Sequence, residues 1–181
     1  MNKIINIKNI ETIKNDFVNE ETRYKFYSSL NRWSCDFYFY IIDEKIVSFC
    51  LLMQEDLKCG FLHYHIPNEL RDDFALKYPM LNKKTDQIHY LYTAKSYRKQ
   101  KIASRLLNFV FSDLKTRDFK FVWLICETRS TIYEVLGLKR FTELLDILQI
   151  KDDFLKDYQK IKSGSDDLSR RFGDMRLVKL L

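Results

Sequence analysis

The sequence has few residues that interrupt regular secondary structure. It contains four glycines and two prolines among 181 residues, so long helices and strands with few elaborate loops are expected. No stretch approaches 18 uncharged apolar residues, which argues against a membrane-spanning helix and a membrane partner. The first residues show no apolar segment followed by a small-residue cleavage site. A cytoplasmic protein without a secretory signal is therefore expected.

Cysteine and histidine are also sparse. The four cysteines form no C-x-x-C pair and have no histidine at zinc-ligand spacing; they are Cys35, Cys50, Cys59 and Cys126. This pattern predicts reduced, buried thiols. His63 and His65 alternate and could share one face of a strand, but no third ligand accompanies them. The sequence therefore predicts no metal site.

Apolar and aromatic residues are abundant. The apolar fraction is 46%, with 14 Phe and 11 Tyr, which is enough for a buried core and excludes a disordered chain. The length suits a single domain over residues 1–181. The net charge of +6 favours an anionic partner, without choosing among nucleotide, nucleic acid and acidic lipid. Because basic residues are spread among 25 acids and no nucleic-acid-binding motif is present, nucleic acid is not favoured.

The stretch from Ile88 to Leu107 is the most informative. Ile88–Thr93 is β-branched and aromatic, which predicts a strand. Apolar residues then recur at helical spacing; they are Ile102, Ala103, Leu106, Leu107, Val110, Phe111 and Leu114. The loop between strand and helix carries four cations and no acid, namely Lys95, Arg98, Lys99 and Lys101. Because the first amides of a helix lack intrahelical partners and the helix dipole is positive there, this loop predicts a phosphate site.

The other elements follow from local patterns. A strand is expected at Lys3–Ile7 and one or two helices within Glu11–Arg32. Two strands, Asp36–Ile42 and Lys45–Met53, are joined by the polar pair Asp43-Glu44, which is typical of a hairpin. The later predictions are a helix opened by Pro67, a buried strand at Phe119–Cys126, a helix at Ser130–Leu136 ended by Gly137, a strand at Lys139–Ile147, an amphipathic helix at Asp152–Ile161 and a strand at Asp174–Leu181.

Two short motifs carry a family resemblance. The loop reads Arg98-Lys99-Gln100-Lys101-Ile102-Ala103 after Tyr97, and a later segment reads Tyr133-Glu134-Val135-Leu136-Gly137-Leu138. The sequence resembles the GNAT N-acetyltransferase superfamily, whose pyrophosphate loop is Arg/Gln-x-x-Gly-x-Gly/Ala and whose later signature is Tyr-Glu-x-Leu-Gly-Phe. Lys101 stands where the family usually has Gly. The Asn that often opens the helix before the Tyr is absent, with Cys126 or Thr128 near its place.

The resemblance implies an α/β fold and a cofactor. The fold would be a mixed, strongly twisted central sheet flanked by helices, with a splay between its two central parallel strands. Acetyl-CoA would lie there as co-substrate, with no metal. The resemblance places its pyrophosphate on the backbone of Gln100–Ser104 and its pantetheine arm on the backbone of Leu91–Thr93. The implied cofactor-binding residues are Leu91, Tyr92, Thr93, Arg98, Lys99, Gln100, Lys101, Ile102, Ala103 and Ser104.

The resemblance also implies catalytic roles. A backbone N–H near Tyr92 or Thr93 would polarise the thioester carbonyl. Tyr133 would give a hydrogen bond or proton to the coenzyme A sulfur, although a tyrosine packed in the core would give the same pattern. The general base is more open: Glu127 is the first candidate, followed by Glu55 and His89, and each could instead be structural.

Two functions fit these patterns. The first is an acyl-CoA-dependent N-acyltransferase, most simply an N-acetyltransferase that moves the acetyl group of acetyl-CoA to an amine by direct attack. The second is a catalytically silent CoA-binding or protein-interaction module on the same fold, suggested by Lys101 and the missing Asn. The acceptor would be a small-molecule or peptide amine, and a homodimer would be in keeping with the family.

Overall fold

The computed structural model describes residues 2–13, 16–30, 34–53, 66–81, 83–125, 131–161 and 176–181. The strands are β1 (Asn2–Ile7), β2 (Ser34–Ile42), β3 (Lys45–Met53), β4 (Thr85–Thr93), β5 (Phe121–Ile125), β6 (Lys139–Arg140) and β7 (Arg176–Leu180). The helices are α1 (Glu20–Ser29), α2 (Arg71–Lys77), α3 (Ile102–Thr116), α4 (Thr131–Val135), α5 (Phe141–Ile147) and α6 (Lys151–Ile161).

The chain forms two compact units, each built from separate stretches of sequence. The first combines Met1–Glu55 with Asp86–Arg117, and the second combines Asp56–Thr85 with Asp118–Leu181. The first unit therefore carries the predicted phosphate loop, and the second carries Tyr133. The assignment of the whole chain to one domain stays a prediction.

The first unit is built on an antiparallel sheet in the order β1–β2–β3–β4. Its hairpin is confirmed: Asp43 and Glu44 join β2 to β3, with φ angles of 46° and 65°. A two-residue turn with both φ angles positive matches the twist of the strands it connects. The predicted strand near Lys3 is also confirmed, since β1 pairs with β2 from Asn2↔Ile42 to Ile7↔Phe37.

Helix α1 covers one face of this sheet. Within Glu11–Arg32 the α-helix begins at Glu20, and a 3-10 turn at Ile10–Thr12 precedes it, so among the described residues the prediction is wrong for Ile13 and for residues 16–19. The Asn19 side chain accepts hydrogen bonds from the Thr22 amide and hydroxyl, both at 2.8 Å, and this N-cap fixes where the helix starts. The fully buried Phe26 ring packs 5.3 Å from the rings of both Phe39 and Phe49.

Helix α3 packs against β2 and β3. Its 15 residues confirm the helix predicted from the apolar spacing. The buried residues are Ile102, Leu106, Leu107, Val110, Phe111 and Leu114, which is the predicted stripe apart from the half-buried Ala103. The stripe fixes how α3 lies on the sheet, and this placement sets where the free amides of its first turn are presented.

The second unit contains the antiparallel strands β5–β7–β6 and an aromatic core. Val178 on β7 pairs with Trp123 on one side and with Lys139 on the other. The Phe154 ring on α6 lies 5.2 Å from the Tyr78 ring and 5.7 Å from the Phe141 ring. Burial of these large rings holds α5 and α6 together.

One element of the second unit differs from the prediction. The strand expected over Lys139–Ile147 ends at Arg140, and Phe141–Ile147 forms α5. The reason is the spacing of Phe141, Leu144 and Leu145, which places all three buried side chains on one face of a helix. The predicted helices at Ser130–Leu136 and Asp152–Ile161 are confirmed as α4 and α6, and Gly137 follows α4 with φ of 77°.

The mixed α/β class with flanking helices is confirmed. The splay between two central strands stays a prediction. Within the described ranges, no helix is both long enough and apolar enough to span a bilayer.

Candidate functional site

The predicted phosphate loop connects the end of β4 to the start of α3. After Thr93 the chain makes a 3-10 turn at Lys95–Tyr97, where the Tyr97 amide donates to the Ala94 carbonyl at 2.9 Å. Lys99 and Lys101 then adopt φ angles of 62° and 60°. These two left-handed residues turn the backbone into the first turn of α3.

Lys101 keeps the backbone conformation for which glycine is usual at this position. Its φ of 60° and ψ of 14° place it in the left-handed helical region, which glycine occupies without cost. For a residue with a side chain the same conformation costs about 1–2 kcal/mol. Lys101 therefore holds a left-handed turn that glycine would adopt without strain, and its side chain adds a positive charge to the loop.

The N-terminus of α3 has no side-chain cap. Lys101, its N-cap, makes no side-chain capping hydrogen bond, and its first turn holds no acid. The first bond back into the helix runs from the Arg105 amide to the Lys101 carbonyl at 3.0 Å. The amides of Ile102, Ala103 and Ser104 thus have no acceptor within the helix, which is the arrangement that binds phosphate.

The basic side chains of the loop have different roles. The Arg98 Nε donates to the Thr93 carbonyl at 3.1 Å, and its guanidinium lies 5.8 Å from the centre of the Tyr92 ring, so it ties the loop to β4. The Lys95 Nζ lies 3.2 Å from the Glu21 Oε1 on α1. Lys99 and Lys101 are exposed. Arg98 therefore holds the loop to β4, Lys95 forms an exposed ion pair with α1, and Lys99 and Lys101 extend into solvent.

The backbone of β4 has a defined polarity beside this loop. Tyr92 pairs with Phe49 in the antiparallel register, and two residues farther along β4 the Ala94 amide donates to the Val47 carbonyl at 2.9 Å. Because hydrogen-bonded pairs recur at every second residue of an antiparallel ladder, the amide and carbonyl of Tyr92 also face β3. The amides and carbonyls of Leu91 and Thr93 consequently face the opposite edge of β4.

Ser48 reinforces this arrangement from within the sheet. Its side chain is fully buried, and its hydroxyl donates to the Tyr92 carbonyl at 2.6 Å. The same oxygen lies 2.8 Å from the Thr93 hydroxyl. The end of β4 is therefore held to β3 by side-chain bonds as well as by the ladder.

An acidic residue of α1 borders the same end of β4. The hydrogen bond from Lys95 keeps the pKa of Glu21 below its ordinary value, with smaller contributions from Tyr92 and Arg98. Burial, and then the charge of Glu21, raises the pKa of Tyr92. Glu21 is thus ionised, and Tyr92 is a neutral phenol, at neutral pH.

The second unit holds Tyr133, in α4, where its side chain is half-buried. The Leu138 amide donates to the Tyr133 carbonyl at 3.0 Å, and the Lys179 ammonium hydrogen-bonds the Leu136 carbonyl. These bonds and the left-handed Gly137 fix the end of the short helix. Burial lowers the pKa of Lys179.

Several predicted residues are not part of these contacts. Glu127, Glu55, His63, His65, Cys59 and Cys126 lie outside the described residues. His89 is half-buried in β4. Tyr38 and Tyr40 are buried: the Tyr38 hydroxyl donates to Asp113 at 2.6 Å and the Tyr40 hydroxyl accepts from Arg105 at 3.4 Å. In the described part of the chain, no group of three or more His, Cys, Asp or Glu residues could hold a metal ion.

Two residues at this end of β4 are absent from the sequence-based prediction. The sequence indicates Ser48 only weakly, as a lone hydroxyl within the apolar run KIVSFCLLM. It does not indicate Glu21, because the position of Glu21 beside Tyr92 depends on how α1 packs on the sheet.

Comparison with known proteins identifies one family. The family model described as "Acetyltransferase (GNAT) family" matches residues 4–132, more than half of the chain. Among curated proteins, none matches the sequence significantly.

Two solved structures share the fold along nearly the full length. A GNAT family acetyltransferase from Elizabethkingia anophelis with acetyl-CoA bound is 14% identical, with a TM-score of 0.50 and coverage of 99% of this chain and 98% of that one. An IAA acetyltransferase from Bacillus cereus is 12% identical, with a TM-score of 0.51 and complete coverage of both chains. At this identity they show the fold alone. The family match and the geometry of the loop together establish that the chain belongs to the GNAT acetyltransferase family.

Proposed function

We propose that this protein is an acyl-CoA-dependent N-acetyltransferase that moves the acetyl group of acetyl-CoA to an amine by direct attack. The observation that carries the proposal is the left-handed turn at Lys99 and Lys101, which leads into the uncapped N-terminus of α3. Family membership supports acyl transfer in general. The loop supports a diphosphate-bearing co-substrate in particular.

The pyrophosphate of coenzyme A is assigned to the amides of Gln100–Ser104. Lys99 and Lys101 are exposed beside these amides and supply positive charge. Hydrogen bonds to charged groups contribute about 1.5–3 kcal/mol each. A few such bonds are enough for micromolar binding after the cost of association is subtracted.

The pantetheine arm is assigned to the side of β4 that faces away from β3. Leu91 and Thr93 direct their backbone groups to that side, where the Thr93 carbonyl already accepts a hydrogen bond from Arg98. The Leu91 amide and carbonyl, with the Thr93 amide at the thioester end, are therefore assigned to the arm, which would pair with them as an added strand would. Tyr92 directs its own backbone toward β3. The resemblance assigns all three residues to this role, but the backbone of Tyr92 would not itself pair with the pantetheine arm; the residues on either side of it would.

Acetyl transfer needs three further groups: one that polarises the thioester carbonyl, a proton donor for the sulfur and a base for the amine. The neutral amine attacks the thioester carbon, a C–N bond forms, the C–S bond breaks, and the amine loses one proton while the sulfur gains one. The Thr93 amide would polarise the carbonyl. Tyr133 remains the proposed proton donor to the sulfur, and Glu127 remains the proposed base.

Turnover tests the proposal directly. Release of the free coenzyme A thiol from acetyl-CoA should depend on an added amine and should saturate in both substrates. Acetyl-CoA binding without release across a panel of alkylamines, amino acids and peptides would instead favour the silent CoA-binding module. The absence of acetyl-CoA binding below millimolar concentration would contradict both.

A further inference from the structure

The first turn of α1 presents a carboxylate to the end of β4. Glu21 follows the Asn19 cap closely, and the cap bonds to Thr22 fix the conformation of this turn. The Thr22 side chain is fully buried. The position of Glu21 relative to β4 is therefore set by the fold of the first unit.

The carboxylate of Glu21 lies beside Tyr92 and Lys95. The Lys95 ammonium lies 3.2 Å from the Glu21 Oε1. The buried Tyr92 hydroxyl is close enough for the charge of Glu21 and a hydrogen-bonding interaction with it to raise the pKa of Tyr92. This end of β4 thus combines a negative charge with a buried hydroxyl directed toward it.

The ion pair between Glu21 and Lys95 is easily exchanged. The Glu21 and Lys95 side chains are 41% and 70% exposed, and exposed pairs of this kind contribute little to stability. An ammonium group from a ligand can therefore take the place of Lys95 at a small cost. Lys95 occupies the position that such a group would take.

We propose that Glu21 anchors a second, cationic group of the acceptor, so that the preferred acceptor is an aliphatic diamine. This inference rests on the proposed function, which assigns the thioester to the backbone edge at Thr93, next to Tyr92. The nucleophile must be a neutral amine, so an ammonium held by a carboxylate cannot be the group that attacks. The anchored ammonium and the reacting amine are then two ends of one molecule.

Glu21 suits binding better than proton transfer. Because Lys95 keeps its pKa low, Glu21 is ionised at neutral pH and is a weak proton acceptor. Glu20 provides a matched comparison one residue away. Its carboxylate pairs with Arg23 on the same helix at 3.0 Å and is 85% exposed.

The experiment compares 1,4-diaminobutane with 1-aminobutane as acceptors. For the wild type we expect kcat/KM to be about tenfold or more higher for the diamine, since a charge-assisted hydrogen bond corresponds to roughly one to two powers of ten. Glu21→Gln should reduce this ratio to about two, the factor expected from two equivalent amines, mainly by raising KM for the diamine. Glu20→Gln should leave the ratio as in the wild type, and Lys95→Met should lower KM for the diamine.

The outcomes separate this inference from the proposed function. Calorimetry with acetyl-CoA is done first on the wild type and on each variant. If acetyl-CoA binds but the diamine is not acetylated, or is used no better than the monoamine, the role of Glu21 is overturned. The same holds if Glu21→Gln retains the wild-type ratio or if Glu20→Gln loses it. If acetyl-CoA does not bind to the wild type, the proposed function itself fails.

Discussion

The Arg117 guanidinium, at the end of α3, hydrogen-bonds the carboxylate of Asp36 in β2, with 2.9 Å between Nη2 and Oδ2. Asp36 is fully buried. Arg117 also contacts Asp113 at 3.2 Å, and Lys8 pairs with Asp36 from the side of β1. These charges join the far end of α3 to the sheet, so they fix the helix whose other end forms the proposed phosphate site.

Removing Arg117 should destabilise the first unit. Arg117→Met leaves the buried Asp36 without its main partner, and breaking a buried pair in this way costs about 3–5 kcal/mol. The free energy of unfolding from urea titration measures this loss. Lys115→Met, on the exposed side of the same helix, should change it by less than about 0.5 kcal/mol. Equal values for the two variants would show that the network does not hold α3.

Protonation of Asp113 should contribute to the loss of folding stability in acid. Burial raises its pKa, but the hydrogen bonds from Tyr38 and Arg117 outweigh burial and lower the pKa below its ordinary value. A carboxyl whose pKa is lower in the folded state stabilises the protein above its unfolded pKa, near 4, and loses that contribution as pH falls through the folded pKa. Between about pH 6 and pH 2.5 the free energy of unfolding should therefore decrease less steeply with falling pH for Asp113→Asn than for the wild type. Identical slopes would contradict the lowered pKa.

The first turn of α3 offers a test that separates binding from folding. Ala103→Asp places a negative charge where the pyrophosphate is proposed to bind, so acetyl-CoA affinity should fall about tenfold or more. The same charge interacts favourably with the helix dipole, so the free energy of unfolding should not decrease. Ser112→Asp, an exposed position farther along α3, is the control and should retain wild-type affinity.

Lys101 allows the backbone effect to be measured apart from the charge. Lys101→Gly and Lys101→Ala both remove the ammonium, but only glycine adopts φ of 60° without strain. Lys101→Gly should be more stable than Lys101→Ala by about 1 kcal/mol. Thermal unfolding of the pair checks this, and equal stability would mean that the left-handed turn is absent in solution.

Tyr133 is tested by kinetics. If it protonates the coenzyme A sulfur, Tyr133→Phe should lower kcat by about 10²–10⁴-fold and leave KM for acetyl-CoA nearly unchanged. Tyr24→Phe is a control at an exposed tyrosine of α1. An unchanged kcat for Tyr133→Phe would remove Tyr133 from the mechanism.

The features that are predictable from sequence depend on short-range patterns. Helix α3, its apolar stripe and the basic loop before it all lie within one continuous stretch. The hairpin at Asp43-Glu44 and the glycine after α4 are likewise local. Where α5 forms, the sequence predicts a strand because a short run rich in apolar residues suits both structures, and the packing of Phe141, Leu144 and Leu145 decides between them.

The features that are not predictable from sequence depend on contacts between distant parts of the chain. Asp36 and Arg117 are 81 residues apart. Glu21 meets Lys95 only because α1 packs across the sheet, and Ser48 meets Tyr92 only through the register of β3 and β4. No spacing along the chain indicates such pairs, because they arise from tertiary packing.

The most direct measurement is a titration of the isotope-labelled protein with acetyl-CoA, followed by the backbone amide resonances. The account predicts saturable shifts at micromolar ligand that are largest for the amides of Gln100–Ser104, with a second set at Leu91 and Thr93 and a smaller change at Tyr92. Shifts confined to other parts of the chain, or none below millimolar ligand, would contradict it.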